Sequence, residues 1–204
     1  TDRIFNFVNK LVGHVRGGLG HVNVIASMIF AGMSGSATAD AGGLGAVEIK
    51  AMRNAGYDDE FSVGVTGASS MLGPIIPPSI PMVLYGVLAE ESVSNLFLGG
   101  IIPGVLGGLS LMVLCSYYGR IENLPQKSFP PFREILISFK KAILALITPL
   151  IIIGGIWSGI FTPTEAGATA VIYTLFLGLV VYRELNLKNT WKAFNNSLKI
   201  SARV

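Results

Sequence analysis

Four prolines, Pro74, Pro77, Pro78 and Pro81, fall within eight residues near the middle of Phe61 to Ala89, a run that holds no Asp, Glu, Lys or Arg. A run of that length without charge is long enough to cross a bilayer as a helix. Proline removes backbone donors and clashes with the preceding turn, so this run cannot be one continuous helix. Lipid leaves freed backbone groups unsatisfied, so an unwound segment at membrane depth must be buried in protein or line a cavity. The two demands together predict half-helices joined by a protected, irregular middle.

The rest of the chain agrees with a membrane setting. Apolar residues make up 51% and charged residues only 13%, with a mean hydropathy of +0.61, where soluble domains carry about a quarter charged residues. The class is therefore an all-α integral membrane protein in a lipid bilayer. Its basic residues sit in short clusters between apolar runs, which argues against a nucleic-acid partner. One cysteine, Cys115, gives no disulfide framework within the chain.

In order, residues 1–16 carry Ile4, Phe5, Val8, Leu11, Val12 and Val15 at helical spacing and read as an amphipathic helix in the membrane interface. Residues 17–56 open on Gly17-Gly18, and their strongly apolar part, Val22 to Met33, is a dozen residues. Such a limb covers about 18 Å of a core of about 30 Å. A small-residue return limb follows, and Glu48, Lys50 and Arg53 are expected to bring it back to water. The expected form is a re-entrant hairpin with its tip at 33–40. Residues 57–119 hold the broken span and a following one, 120–141 a cytoplasmic connection, 142–182 a helix pair, and 183–204 a second basic interfacial helix. The hairpin is thus joined by about four transmembrane runs. Neither end reads as a natural terminus, so a piece of a longer protein is expected.

Charge bias sets the orientation. The connection from Arg120 to Lys141 holds five basic and two acidic residues, the tail from Arg183 five and one, while those at Glu90-Glu91 and Glu165 hold none that are basic. The opening helix is also basic. With both flanks of the hairpin on the cytoplasmic side, the segment must enter and leave from that side.

A hairpin tip beside a broken helix is the sequence pointer to the site of a secondary transporter. Interrupted helices free carbonyl oxygens for a cation and amide groups for an anion. Ser34, Ser36 and Thr38 add hydroxyls at the tip, and Thr66, Ser69, Ser70 and Ser79 add them in or near the broken span. Neutral hard oxygens of this kind suit Na+. Simpler roles stay open: Ser34 and Ser36 as helix caps, and Asp40 as either a cap or a buried functional acid. His14 and His21 read as surface or headgroup residues, and Thr164 or Glu165 as the start of the last span. The sequence holds no nucleophile and base pair and no zinc motif, so no enzyme is expected.

Ser34-Gly35-Ser36-Ala37-Thr38-Ala39-Asp40, Gly73-Pro74-Ile75-Ile76-Pro77-Pro78-Ser79 and Phe161-Thr162-Pro163-Thr164-Glu165-Ala166, in this order, resemble the large membrane subunit of tripartite ATP-independent periplasmic (TRAP) transporters over nearly the whole chain. The resemblance implies a multi-pass subunit of the bacterial inner membrane and Na+-coupled uptake of an organic acid, a dicarboxylate or sialic acid. It implies two partners, a periplasmic solute-binding protein and a small membrane subunit, and an inverted-repeat, elevator-type architecture. By the same resemblance, Ser34, Gly35, Ser36, Thr66, Ser69, Ser70 and Gly73 are the expected Na+ ligands. Ser36, Thr38, Asp40, Pro77, Pro78 and Ser79 are the expected substrate contacts. Na+ is the only coupling species expected, with no organic cofactor. The family's second hairpin and second broken helix have no counterpart here, so the chain is expected to hold about half of a site. Two other readings remain open, an anion and Na+ symporter with the same hairpin architecture, and a non-transporting membrane scaffold.

Overall fold

The computed structural model describes residues 2–124, 126 and 128–201, and these are all helix, turn or coil. Helix α1, Asp2–Val12, leads into α2, Gly18–Ser34. The return limb is split into α3, Ala37–Gly43, and α4, Gly45–Asn54. The broken span is α5, Asp59–Ser70, and α6, Ile80–Leu88. Three longer helices follow: α7, Val93–Ile121, α8, Phe132–Trp157, and α9, Pro163–Phe176, which runs on into a π-helical turn at Leu177–Val181. The last helix is α10, Leu187–Ser201.

Among the described residues, three segments are long and apolar enough to cross a membrane: Val93–Ile121, Phe132–Trp157 and Pro163–Val181. At 17 residues, α2 spans roughly 25 Å, short of the hydrocarbon core. It lies at the centre of the molecule, packed against α1, α5, α7 and α8, and Val22, Val24 and Ala26 are fully buried along it.

Glycine lets α7 come close. Gly100, Gly104 and Gly108 recur every fourth residue, facing Met82, Ile76 and Met28 in turn, the small-residue spacing by which helices approach in lipid. Farther along α7, the Tyr118 ring stacks on Phe61 of α5 with centroids 3.9 Å apart.

Several elements depart from what sequence pattern alone predicts. The apolar stripe of α1, Ile4, Phe5 and Val8, is buried in protein, with α2 and α8 packed against the helix. Ionic contacts reinforce that seat: Lys10 pairs with Glu134, and Arg3 pairs with Glu184 at 2.6 Å while its guanidinium stacks on Tyr182. α8 starts at Phe132, ahead of Ala142, because one helix runs from the basic connection into the apolar run. His21 is not a surface residue. The turn at Gly17 brings its Nδ1 to the Gly17 carbonyl oxygen at 3.0 Å and its Nε2 to the Ser116 hydroxyl at 2.9 Å. α9 is capped neither by Thr164 nor by Glu165. Thr162 is the cap, and Glu165 closes a reciprocal capping box onto it.

Candidate functional site

The hairpin turns over two residues. α2 ends at Ser34, Gly35 takes a left-handed conformation and donates its N–H to the Ala31 carbonyl, and Ser36 caps α3 by accepting the Ala39 N–H at 3.4 Å. Capping at the tip therefore belongs to Ser36, and Asp40 lies one turn farther on. Thr38 is exposed, and its hydroxyl meets that of Ser36 at 2.9 Å.

The tip sits in the unwound segment between α5 and α6. Ile80 donates its N–H to the Gly35 carbonyl at 3.3 Å, and Gly73 abuts the Ser36 backbone so closely that a Cβ there would stand 3.0 Å from it. Ser79 holds the far side of the segment together. Its hydroxyl donates to the Pro74 carbonyl at 2.6 Å and accepts the Met82 N–H at the start of α6. The prolines break the helix, and Ser79 restarts it.

A cleft of about 250 Å³ opens beside this contact. Ser34, Gly35, Pro78 and Ser79 form one wall, with Phe97, Ile152 and Thr164 among the residues across from it. The cleft is mostly apolar with hydroxyls at its edge and no basic side chain. Of the expected substrate contacts, Pro78 and Ser79 line it. Pro77 and Asp40 are sealed inside the protein. Ser36 and Thr38 lie at the head of α3, outside its lining.

The expected Na+ ligands separate into two layers. Ser34, Gly35, Ser36 and Gly73 are at the tip. Thr66, Ser69 and Ser70 belong to a buried polar layer in the last turn and a half of α5. There the Asn23 side-chain amide donates to the Thr66 hydroxyl at 2.7 Å, Ser69 donates to the Asn23 side-chain oxygen at 2.7 Å, and Ser27 donates to Ser69 at 3.1 Å. Thr66 and Ser70 in turn donate to the carbonyls of Ser62 and Thr66 at 2.7 Å each. Satisfied polar layers of this kind tie helices together in an apolar setting, and this one joins α2 to α5.

Three residues of this layer carry no signal in the motifs: Asn23, Ser27 and Glu48. Glu48 lies on α4, 1% exposed, where sequence pattern placed it in water. It shares a face with Leu44 and Met52, both buried at i−4 and i+4, and α4 turns that face onto α5. The same spacing relates Asn23 to Ser27 and Ser62 to Thr66, so the signal was a polar stripe on each helix.

The oxygen set fits a small hard cation. Both oxygens of Asp40 and Oε1 of Glu48 are buried without a hydrogen-bond partner, beside hydroxyls and freed carbonyls. Among the described residues no cluster of three or more His, Cys, Asp or Glu side chains is placed to hold a metal ion.

The sequence model of the tripartite ATP-independent periplasmic transporter DctM component matches residues 1–204. The chain is 52% identical to the sialic acid TRAP transporter large permease protein SiaM of Vibrio cholerae, covering 99% of this chain and 47% of that protein. It is 49% identical to the sialic acid TRAP transporter permease protein SiaT of Haemophilus influenzae, over 98% of this chain and 33% of the relative. Against the C4-dicarboxylate TRAP transporter large permease protein DctM of Pseudomonas aeruginosa the identity is 43%, over 98% and 47%. The chain thus spans a third to about half the length of these relatives. The hairpin, the broken helix and the match over every residue lead to one assignment: the chain belongs to the DctM component family of TRAP transporters.

Proposed function

We propose that the chain is the part of an inner-membrane permease that carries one wall of a solute site and its neighbouring Na+ position. The solute is an organic acid received from a periplasmic binding protein, and a small membrane subunit supports the permease. Sialic acid is the first solute to test, because the relatives named for it are 52% and 49% identical, against 43% for the C4-dicarboxylate permease. Import is driven by Na+, and the hairpin with its broken helix moves as one body past the longer helices.

The observation that carries this reading is the seat of the Gly35-Ser36 tip in the 73–80 segment. Two interrupted elements meet there and bring the Ser34 and Ser79 hydroxyls to the lining of one cleft. The cleft lining holds no cationic side chain, so the carboxylate of the solute is met here by hydroxyl donors such as Ser34, with the rest of the permease completing the site.

The test is uptake by the full-length permease, reconstituted with its small subunit and binding protein, under a Na+ gradient. Ser79→Ala removes the bond to the Pro74 carbonyl that holds the unwound segment against the cleft, and is expected to cut uptake roughly tenfold at low solute, the equivalent of about 1.4 kcal/mol. Uptake that ignores both the Na+ gradient and the binding protein would overturn the proposal.

A further inference from the structure

The membrane-length helices are not packed evenly. α7 and α8 both rest on α2 but make little contact with one another, so a groove runs between them with α2 as its floor. Its inner part is a cleft of about 460 Å³, walled by Val105 and Leu109 of α7, Ile25 and Met28 of α2 and Ile153 of α8. All its lining side chains are apolar, and such a space stays dry. Ile76 and Pro77 also line it, on the back of the unwound segment whose Pro78 and Ser79 line the cleft at the hairpin tip.

Toward the end of the groove that the basic connection marks as cytoplasmic, the chemistry changes. A second cavity, of about 540 Å³, is lined by Val15, Arg16, Ser116, Arg120 and Gln126. It brings together two arginines and no acid. Both arginines are exposed, and among the described residues neither makes an ion pair. The walls of this cavity are fixed from two sides. His21 Nε2 lies 2.9 Å from the Ser116 hydroxyl, and Phe129 of the connection meets His14 edge-on with ring centroids 4.8 Å apart.

The two cavities are stretches of one groove. Val105, Leu109, Met112, Ser116 and Arg120 follow one another at helical spacing along a single face of α7. From Val105 to Arg120 the helix rises about 22 Å, which matches one leaflet with its headgroups, about 20–22 Å of a bilayer about 40–45 Å thick. The arginines thus stand at headgroup level and the apolar cleft at acyl level of the same leaflet.

Guanidinium groups bind phosphate through paired hydrogen bonds, and basic pockets between membrane helices on the cytoplasmic side hold anionic headgroups. We infer that the groove seats one anionic phospholipid, its phosphate against Arg16 and Arg120 and one acyl chain along α7 over α2. A soluble anion would use only the basic mouth, and an apolar segment only the cleft. The phospholipid uses both. Its chain supplies the apolar packing that α7 and α8 do not give each other and backs the unwound segment at Ile76 and Pro77. Because the ligand binds the closed groove, occupancy stabilises it. The inference depends neither on the solute nor on the coupling ion.

The test uses the full-length permease with its small subunit, stripped of lipid in detergent and titrated with dioleoyl phosphatidylglycerol. Native mass spectrometry reads the bound lipid, and amide hydrogen exchange is followed over residues 13–21 and 105–121. Saturable binding of a single lipid, with slower exchange in both segments, is expected. Dioleoyl phosphatidylcholine, which lacks net charge, and dihexanoyl phosphatidylglycerol, whose chains are too short to fill the cleft, should each bind roughly tenfold more weakly or worse. Arg16→Gln combined with Arg120→Gln should weaken the long-chain anionic lipid by a similar factor, whereas Lys140→Gln with Lys141→Gln, on the exposed start of α8, should not. Melting without lipid checks that the arginine variant is folded, and each single arginine variant reads the same site should the pair fail to assemble. Equal loss in the arginine and lysine pairs assigns binding to general surface charge. Equal binding of the short-chain lipid assigns it to a soluble anion, and equal binding of phosphatidylcholine removes the role of the arginines. Each of these overturns the inference. So does the absence of any retained lipid, which gives the groove to another part of the permease or to the small subunit.

Discussion

Gly35 and Pro78 meet backbone to backbone at the hairpin tip: a Cβ on Gly35 would lie 2.5 Å from the Pro78 carbonyl oxygen. Gly35 also has φ +62, a conformation that costs other residues about 1–2 kcal/mol. Gly35→Ala is therefore expected to lift the tip from the 73–80 segment. The full-length protein should melt earlier by an amount matching at least that strain, and Na+-dependent uptake should fall more steeply than stability. A variant with wild-type melting and uptake would show that the tip is not seated as described.

The link between α2 and α5 through Asn23 and Thr66 predicts coupling. Asn23→Leu and Thr66→Val each remove one end of a buried 2.7 Å hydrogen bond, so their effects should not add. A double-mutant cycle on unfolding in detergent is expected to give a coupling of about 0.6 kcal/mol, the average for hydrogen bonds between membrane helices, and no more than about 1.7 kcal/mol. Strict additivity would sink the network.

Close approach of α7 to the turn before α2 rests on Gly119. A Cβ there would stand 2.6 Å from the Gly17 backbone nitrogen, with no flexible side chain to yield. Gly119→Ala should cost about 1–3 kcal/mol, as overpacking does, and thermal melting reads it directly. It should also loosen His21, whose Nδ1 binds the Gly17 carbonyl, visible as faster hydrogen exchange at the start of α2.

At the opposite end of the molecule, Thr162 and Glu165 close a capping box on α9. Thr162→Ala is expected to cost about 0.5–2 kcal/mol and to speed amide exchange in the first turn of α9. Thr162→Ser, which keeps the hydroxyl, should restore it. Thr164 of that turn lines the cleft, so uptake at low solute should fall as the turn loosens and recover in Thr162→Ser.

Much of the architecture was legible before any coordinates. The prolines from Pro74 to Pro81 announced a broken helix, and Ser34 to Asp40 announced a tip, since both conflict with a continuous helix in lipid and conflict of that kind has few solutions. Function class was legible for the same reason, through three ordered motifs. His21 and Glu48 were not. Each looked like an interface residue from its neighbours in the chain, and each is buried by packing against another helix, the distant α7 for His21 and the following α5 for Glu48.

By itself, the sequence determined where helices must stop, which runs are apolar enough for the membrane and which residues bring hydroxyl groups to the tip and the broken span. Those properties follow from local chemistry: missing amides at proline, absent charge and small residues at the tip. Only the tertiary structure decided how the oxygens are grouped. It set Ser34 and Ser79 on a cleft, tied Thr66 and Ser69 to Asn23 and Ser27, and sealed Asp40 with Glu48 beneath them. Whether a polar group meets solvent, a partner or another charge depends on which helix face packs on which, and that is settled by contacts far apart in the chain.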